Sequence, residues 1–101
     1  MTSKGPVKVG IIGSRFEGDI HAASFQMVPE AAEVVAIASP TPGNAQKLAD
    51  RYGIASVFTD YRQMLAEKDI EMVTITAPNN LHAQMTVDIA NAGKQIGRAH
   101  V

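Results

Sequence analysis

The sequence predicts an α/β fold built on a doubly wound parallel sheet. Three observations predict it. Short, nearly all-apolar runs rich in β-branched residues recur along the chain, as expected of strands covered on both faces. Each run is followed by a stretch of helical periodicity, and Gly or Pro punctuates the joints. Strands that alternate with helices pair in parallel through right-handed crossovers, which places helices on both faces of an open sheet. With 101 residues, 46% hydrophobic and 19% charged, the chain has the size and balance of one folded domain.

Val7 to Ile12 reads as the first buried strand, and a turn spans Gly13 to Gly18. Asp19 to Val28 then reads as a helix with Ile20, Ala23 and Met27 on its inner face, stopped by Pro29. Val34 to Ala38 is the second strand. Thr41 and Pro42 suit the start of a helix whose Ala45, Leu48, Ala49 and Tyr52 fall on one face, and Gly53 suits its left-handed end. Ser56 to Phe58 is a short third strand, after which Asp60 caps a helix that turns Tyr61, Met64 and Leu65 inward. Met72 to Thr76 is the fourth strand, broken by Ala77 and Pro78. Asn79 or Asn80 caps the last helix, which runs to about Ala92 with Gly93 behind it and His82, Met85 and Ile89 on its inner face. The expected strand order is 3-2-1-4, with the ligand crevice where the order reverses.

Nine Lys and Arg against ten Asp and Glu leave a net charge of -1, so no broad field favours nucleic acid or an anionic membrane. A small molecule is the expected partner. The chain has no cysteine, hence no disulfide or thiolate metal site, and its polar N-terminus carries no signal core. A cytoplasmic location is expected, and no metal constellation is legible.

The turn Gly13-Ser14-Arg15-Phe16-Glu17-Gly18 holds the first and third glycines of G-x-G-x-x-G, with Arg15 in the middle place. The first permits a tight turn and the third lets helix pack on strand, whereas the middle one normally admits backbone to a pyrophosphate. Lying between a buried strand and a helix N-terminus, the turn suits a phosphate. The same glycines also suit a tight turn with no ligand. A dinucleotide site needs a group at the end of the second strand to meet the adenosine ribose, and Ser39 stands there with Thr41 close behind. An Asp or Glu would repel a 2'-phosphate; hydroxyls do not, so the position admits NADP beside NAD and leans toward NADP. Arg15 suits a guanidinium plane over adenine, a charge for the 2'-phosphate, or a plain solvent-facing loop.

The string from Val9 through Gly13 and Gly18 to His21 resembles the opening of the glucose-fructose oxidoreductase, inositol dehydrogenase and MocA (Gfo/Idh/MocA) family. Thr59-Asp60-Tyr61 with Met64-Leu65, the segment from Val73 through Ala77, Pro78 and Asn79 to His82 and Ala83, and Ala92-Gly93-Lys94 resemble the family's later segments in order. The resemblance runs from about Val7 to Lys94 and implies a truncated NAD(P)-binding Rossmann fold. It implies that Pro78 and Asn79 border the nicotinamide side of the cofactor with His82 nearby. It further implies hydride transfer between NAD(P) and a sugar, cyclitol or related polyol. For the whole protein it implies a C-terminal α/β domain carrying the oligomer interface and most of the substrate pocket.

In that family the next segment is a fifth strand with a Glu-Lys-Pro motif whose lysine serves substrate and catalysis, and neither occurs here. Ile96 to Val101 instead matches the translation of a common sequencing adapter, ATC GGA AGA GCA CAC GTC, with Gln95 as the junction codon. Residues 1–94 are therefore expected to be a partial domain and 95–101 a non-native tail, disordered or borrowing the bare edge of the fourth strand. No catalytic residue is assigned, and Glu17, Asp19, Asp60 and Asp88 read as turn or solvent-face carboxylates. The fragment is expected to be inactive alone. A non-catalytic dinucleotide- or sugar-sensing relative is the alternative, and a flavodoxin-like module would leave the glycine turn unexplained.

Overall fold

The computed structural model describes residues 5–13, 22–40, 42–76 and 82–97. Strands β1 (Val7–Ile12), β2 (Ala32–Ala38), β3 (Ser56–Phe58), β4 (Met72–Ile75) and β5 (Gln95–Gly97) form one sheet in the order β3-β2-β1-β4-β5. All pairings are parallel. Residues 22–26 are the described part of helix α1, followed by α2 (Pro42–Tyr52), α3 (Tyr61–Leu65) and α4 (His82–Asn91).

The alternation of side chains along central strands divides the core in two. Ile11 and Ile37 face Ala22 of α1 and Ala45, Leu48 and Ala49 of α2. Ile12, Ala36, Ala38, Val73 and Ile75 face Met64 and Leu65 of α3 and Met85 and Ile89 of α4. Helices α1 and α2 therefore cover one face and α3 and α4 the other, the consequence of right-handed crossovers running first toward β3 and then toward β5. The reversal falls between β1 and β4, where the expected order holds.

Two local devices fix the helix ends. Asp60, in extended backbone, accepts a 2.9 Å bond from the Arg62 backbone N–H and so starts α3. At the end of α2, Gly53 takes φ +68 and the Ile54 N–H closes onto the Ala49 carbonyl at 2.9 Å.

The structure decides between two expectations at the tail and departs from the sequence reading at α1. Of the two courses expected for the tail, Gln95–Gly97 takes the second and borrows the edge of β4 as a fifth strand, pairing Met72 with Gln95, Val73 with Ile96 and Thr74 with Gly97. An uncovered β4 presents unpaired backbone groups, and Ile96 gains burial against the α3 and α4 core by pairing there. Residues 98–101 lie outside the described residues. The inner face of α1 is also shifted. Ala22 is fully buried, whereas Ala23 is exposed and Met27 is 82% exposed. The reason is the tightened end of the helix: Met27 and Val28 bond back to the carbonyls of Ser24 and Phe25, so the chain turns away before Met27 can meet the sheet. Ile20 lies outside the described residues.

Candidate functional site

The carboxyl ends of the strands lie level, Ile12 opposite Ala38 and Ile75, and Ala38 opposite Phe58. In a doubly wound sheet this edge, at the reversal of strand order, is where a ligand meets the backbone. Here the reversal point is occupied by the peptide that joins Ile12 to Gly13. Its N–H, from Gly13, donates to the Ala38 carbonyl at 2.8 Å. Its carbonyl, from Ile12, accepts from the Thr76 backbone N–H at 2.8 Å and from the Thr76 hydroxyl at 2.7 Å. One peptide plane is thus held from β2 on one side and from the end of β4 on the other.

Gly13 has φ +110, a conformation L side chains rarely adopt. A Cβ there would overlap the Thr76 hydroxyl and lie 3.2 Å from the Thr76 carbonyl carbon. Glycine is demanded twice, by backbone conformation and by the approach of Thr76. The sequence reading assigned the first reason alone and did not single out Thr76. A threonine ending a buried strand carries no sequence signal until the strand order is known.

Ser39 directly follows β2 at the same edge; it is 5% exposed, and its N–H donates to the Phe58 carbonyl at 3.0 Å. Gly13, Ser39 and Thr76 are therefore brought to one edge by β1, β2 and β4. Ser14, Arg15, Phe16, Gly18, Thr41, Ala77, Pro78 and Asn79 lie outside the described residues, as does the side chain of His82, at which α4 begins.

Further out, titratable groups are engaged in holding helices. Asp60 is kept below the usual carboxylate range, first by the Arg62 backbone N–H and then by the Arg62 side chain. The Tyr61 hydroxyl donates to the Asp88 carboxylate, tying α3 to α4. That bond raises the tyrosine and, with a second from Gln84, lowers Asp88. At the opposite, amino edge the Lys94 ammonium donates to the Glu67 and Ile70 carbonyls at 2.7 and 2.8 Å, closing the loop between α3 and β4. A cavity of about 450 Å³ lined by Phe25, Gln26, Pro29 and Tyr52 also opens at that amino edge, away from the strand ends where such sheets bind ligands. Among the described residues no three His, Asp or Glu side chains cluster to hold a metal, and no helix is long and apolar enough to cross a membrane.

Comparison with known proteins agrees with this geometry. The model of the Gfo/Idh/MocA family, described as an oxidoreductase family with an NAD-binding Rossmann fold, matches residues 7–100. The chain is 36% identical over 91 residues to inositol 2-dehydrogenase of Salmonella typhimurium, covering 89% of this chain and 27% of that protein. It is 34% identical over 97 residues to levoglucosan dehydrogenase of Pseudarthrobacter phenanthrenivorans, covering 89% and 25%. Scyllo-inositol dehydrogenase from Lactobacillus casei, solved with bound NAD(H) and scyllo-inositol, superposes with a TM-score of 0.85 at 30% identity, over 92% of this chain and 27% of that one. The chain spans about a quarter of the length of the curated relatives it matches. With the glycine turn, the reversal of strand order and the family match all falling on the same residues, the chain belongs to the Gfo/Idh/MocA oxidoreductase family and has its NAD-binding Rossmann fold.

Proposed function

We propose that the chain binds NAD(P) across the carboxyl edge between β1 and β4, as the nucleotide-binding part of an oxidoreductase acting on a sugar, cyclitol or related polyol. The observation that carries this reading is the Ile12–Gly13 peptide, bonded to β2 and to the end of β4 at the reversal of strand order, with its glycine at φ +110. In this reading Gly13, Ser14, Arg15, Phe16 and Gly18 receive the pyrophosphate, Ser39 and Thr41 stand at the adenosine ribose, and Ala77, Pro78, Asn79 and His82 border the nicotinamide. Bound cofactor would supply the hydride acceptor or donor. Among the described residues the carboxylates of Asp60 and Asp88 already serve Arg62 and Tyr61, so we assign the acid–base step to neither. The chain alone is then a binding unit and not a complete catalyst. The polyol substrate and a homo-oligomeric whole protein rest on family membership.

At the ribose we propose that NADP is accepted beside NAD, with a slight lean to NADP, because no carboxylate stands at Ser39 to oppose a 2'-phosphate. The test is the ratio of dissociation constants for NADPH and NADH in the wild type, Ser39→Asp and Arg15→Ala. Ser39 is buried, so an aspartate there also strains folding, and the ratio cancels a loss common to both cofactors. Ser39→Asp is expected to weaken NADPH at least tenfold more than NADH, roughly one charge repulsion in a partly desolvated site. Arg15→Ala is expected to narrow the preference. Equal losses for both cofactors in both variants would remove the specificity argument and leave dinucleotide binding intact.

A further inference from the structure

We infer that Thr76 is the positioning residue of the dinucleotide turn: its hydroxyl, reaching from the end of β4, sets the orientation of the Ile12–Gly13 peptide from which the turn departs. The inference rests on the cofactor reading above and adds to it a residue from outside the glycine motif. Thr76 is 9% exposed, and its hydroxyl donates to the Ile12 carbonyl at 2.7 Å although that oxygen already accepts the Thr76 backbone N–H at 2.8 Å. The sheet ladder does not need this second bond. What it adds is direction. Two donors on one carbonyl, together with the Gly13 N–H held by Ala38 on the other side, tie the peptide plane from both neighbouring strands. The chain leaves β1 from that plane.

The same hydroxyl occupies the space a Cβ at Gly13 would fill, so a side chain at Gly13 would displace it from the Ile12 carbonyl. A methyl group in place of the hydroxyl would lose the bond, and it would also need roughly 3.3–3.6 Å from the carbonyl oxygen in place of 2.7 Å. The peptide would be pushed outward by several tenths of an ångström, at the point where phosphate oxygens require convergent donors. Preorganised donors lose affinity steeply when they must be re-aimed on binding.

The experiment uses the 101-residue chain, isotope-labelled, in wild-type, Thr76→Val and Thr76→Ser forms. Amide exchange is read without ligand, and chemical-shift titrations with NADH give the affinity. Thr76→Val is expected to weaken NADH about tenfold, the order of one hydrogen bond, and to speed exchange of the Gly13 amide while leaving amides of Ile11 and Ile37 protected. Thr76→Ser is expected to restore both. Equal loss of protection at Gly13, Ile11 and Ile37 would make Thr76 a general stabiliser and overturn the inference, as would Thr76→Val binding NADH like the wild type. A wild-type spectrum that ignores both NADH and NADPH at millimolar concentration would overturn the cofactor reading itself, and this inference with it.

Discussion

At the scale of single residues, two glycines with positive φ separate two kinds of necessity. Gly53 has φ +68 and open space around the position of a Cβ, so only backbone conformation asks for glycine. Gly13 has φ +110 and would drive a Cβ into Thr76. Gly53→Ala is expected to cost roughly 1–2 kcal/mol, the left-handed penalty for an L residue. Gly13→Ala is expected to cost roughly 3 kcal/mol, since a less accessible φ is joined by displacement of the Thr76 hydroxyl from the Ile12 carbonyl. Urea unfolding of both variants checks the order. Equal costs would mean that Thr76 yields easily and the approach is not rigid. Gly13 was legible in the sequence because a lone glycine after a buried β-branched run marks a tight turn. Its partner was not. The bond from Thr76 to Ile12 spans 64 positions; the expected order sets β4 beside β1, but nothing in Met72 to Thr76 says that the hydroxyl will reach a carbonyl already bonded to the backbone N–H.

At the scale of elements, the helices were read best where one face or one cap decides the matter. Asp60 begins α3, and Ala45, Leu48 and Ala49 turn inward on α2, as their spacing requires. The sequence puts α1 one position out of phase, because a small residue such as Ala22 or Ala23 gives periodicity little weight and the helix tightens at its end through bonds from Met27 to Ser24 and from Val28 to Phe25. The attachment of α3 to α4 was not legible at all. Only five residues long, α3 gains its hold on α4 through the Tyr61 hydroxyl and Asp88. The pair predicts a pH window. Asp88 is lowered in the folded state, so its stabilising effect is present above the unfolded carboxylate value of 3.8 and lost as pH falls through the lower folded value. Tyr61 is raised, so its effect is present below 10.0 and lost as pH rises through the higher folded value. Tyr61→Phe is expected to lower the melting temperature by a few degrees at neutral pH and to flatten both flanks of the profile. A Phe variant with the wild-type profile would remove the pair from the account of stability.

At the scale of the whole molecule, the doubly wound parallel sheet followed from alternation and handedness, and its order β3-β2-β1-β4 from placing a dinucleotide crevice where the strand order reverses. Of the two courses the sequence left open for the tail, disorder or the bare edge of β4, the last described residues take the second. Gln95–Gly97 offers just three residues and one strongly apolar side chain, too little for periodicity to register, yet a bare parallel edge beside it supplies the missing reason to be extended. Two contributions then hold β5 in place, the ladder to β4 and the burial of Ile96 against the α3 and α4 core, and they can be separated. Ending the chain at Lys94 removes both. It is expected to lower unfolding free energy by roughly 1–2 kcal/mol, the share of an isoleucine that is only partly buried, and to promote association through the uncovered edge of β4. Ile96→Thr keeps the backbone ladder and removes most of the apolar contact. It is expected to reproduce the loss in urea unfolding while sedimentation stays monomeric at concentrations where the shortened chain associates. If Ile96→Thr associates as readily as the shortened chain, the apolar contact and not the ladder is what shields β4. If neither change alters stability, β5 contributes nothing to the fold and β4 tolerates an open edge.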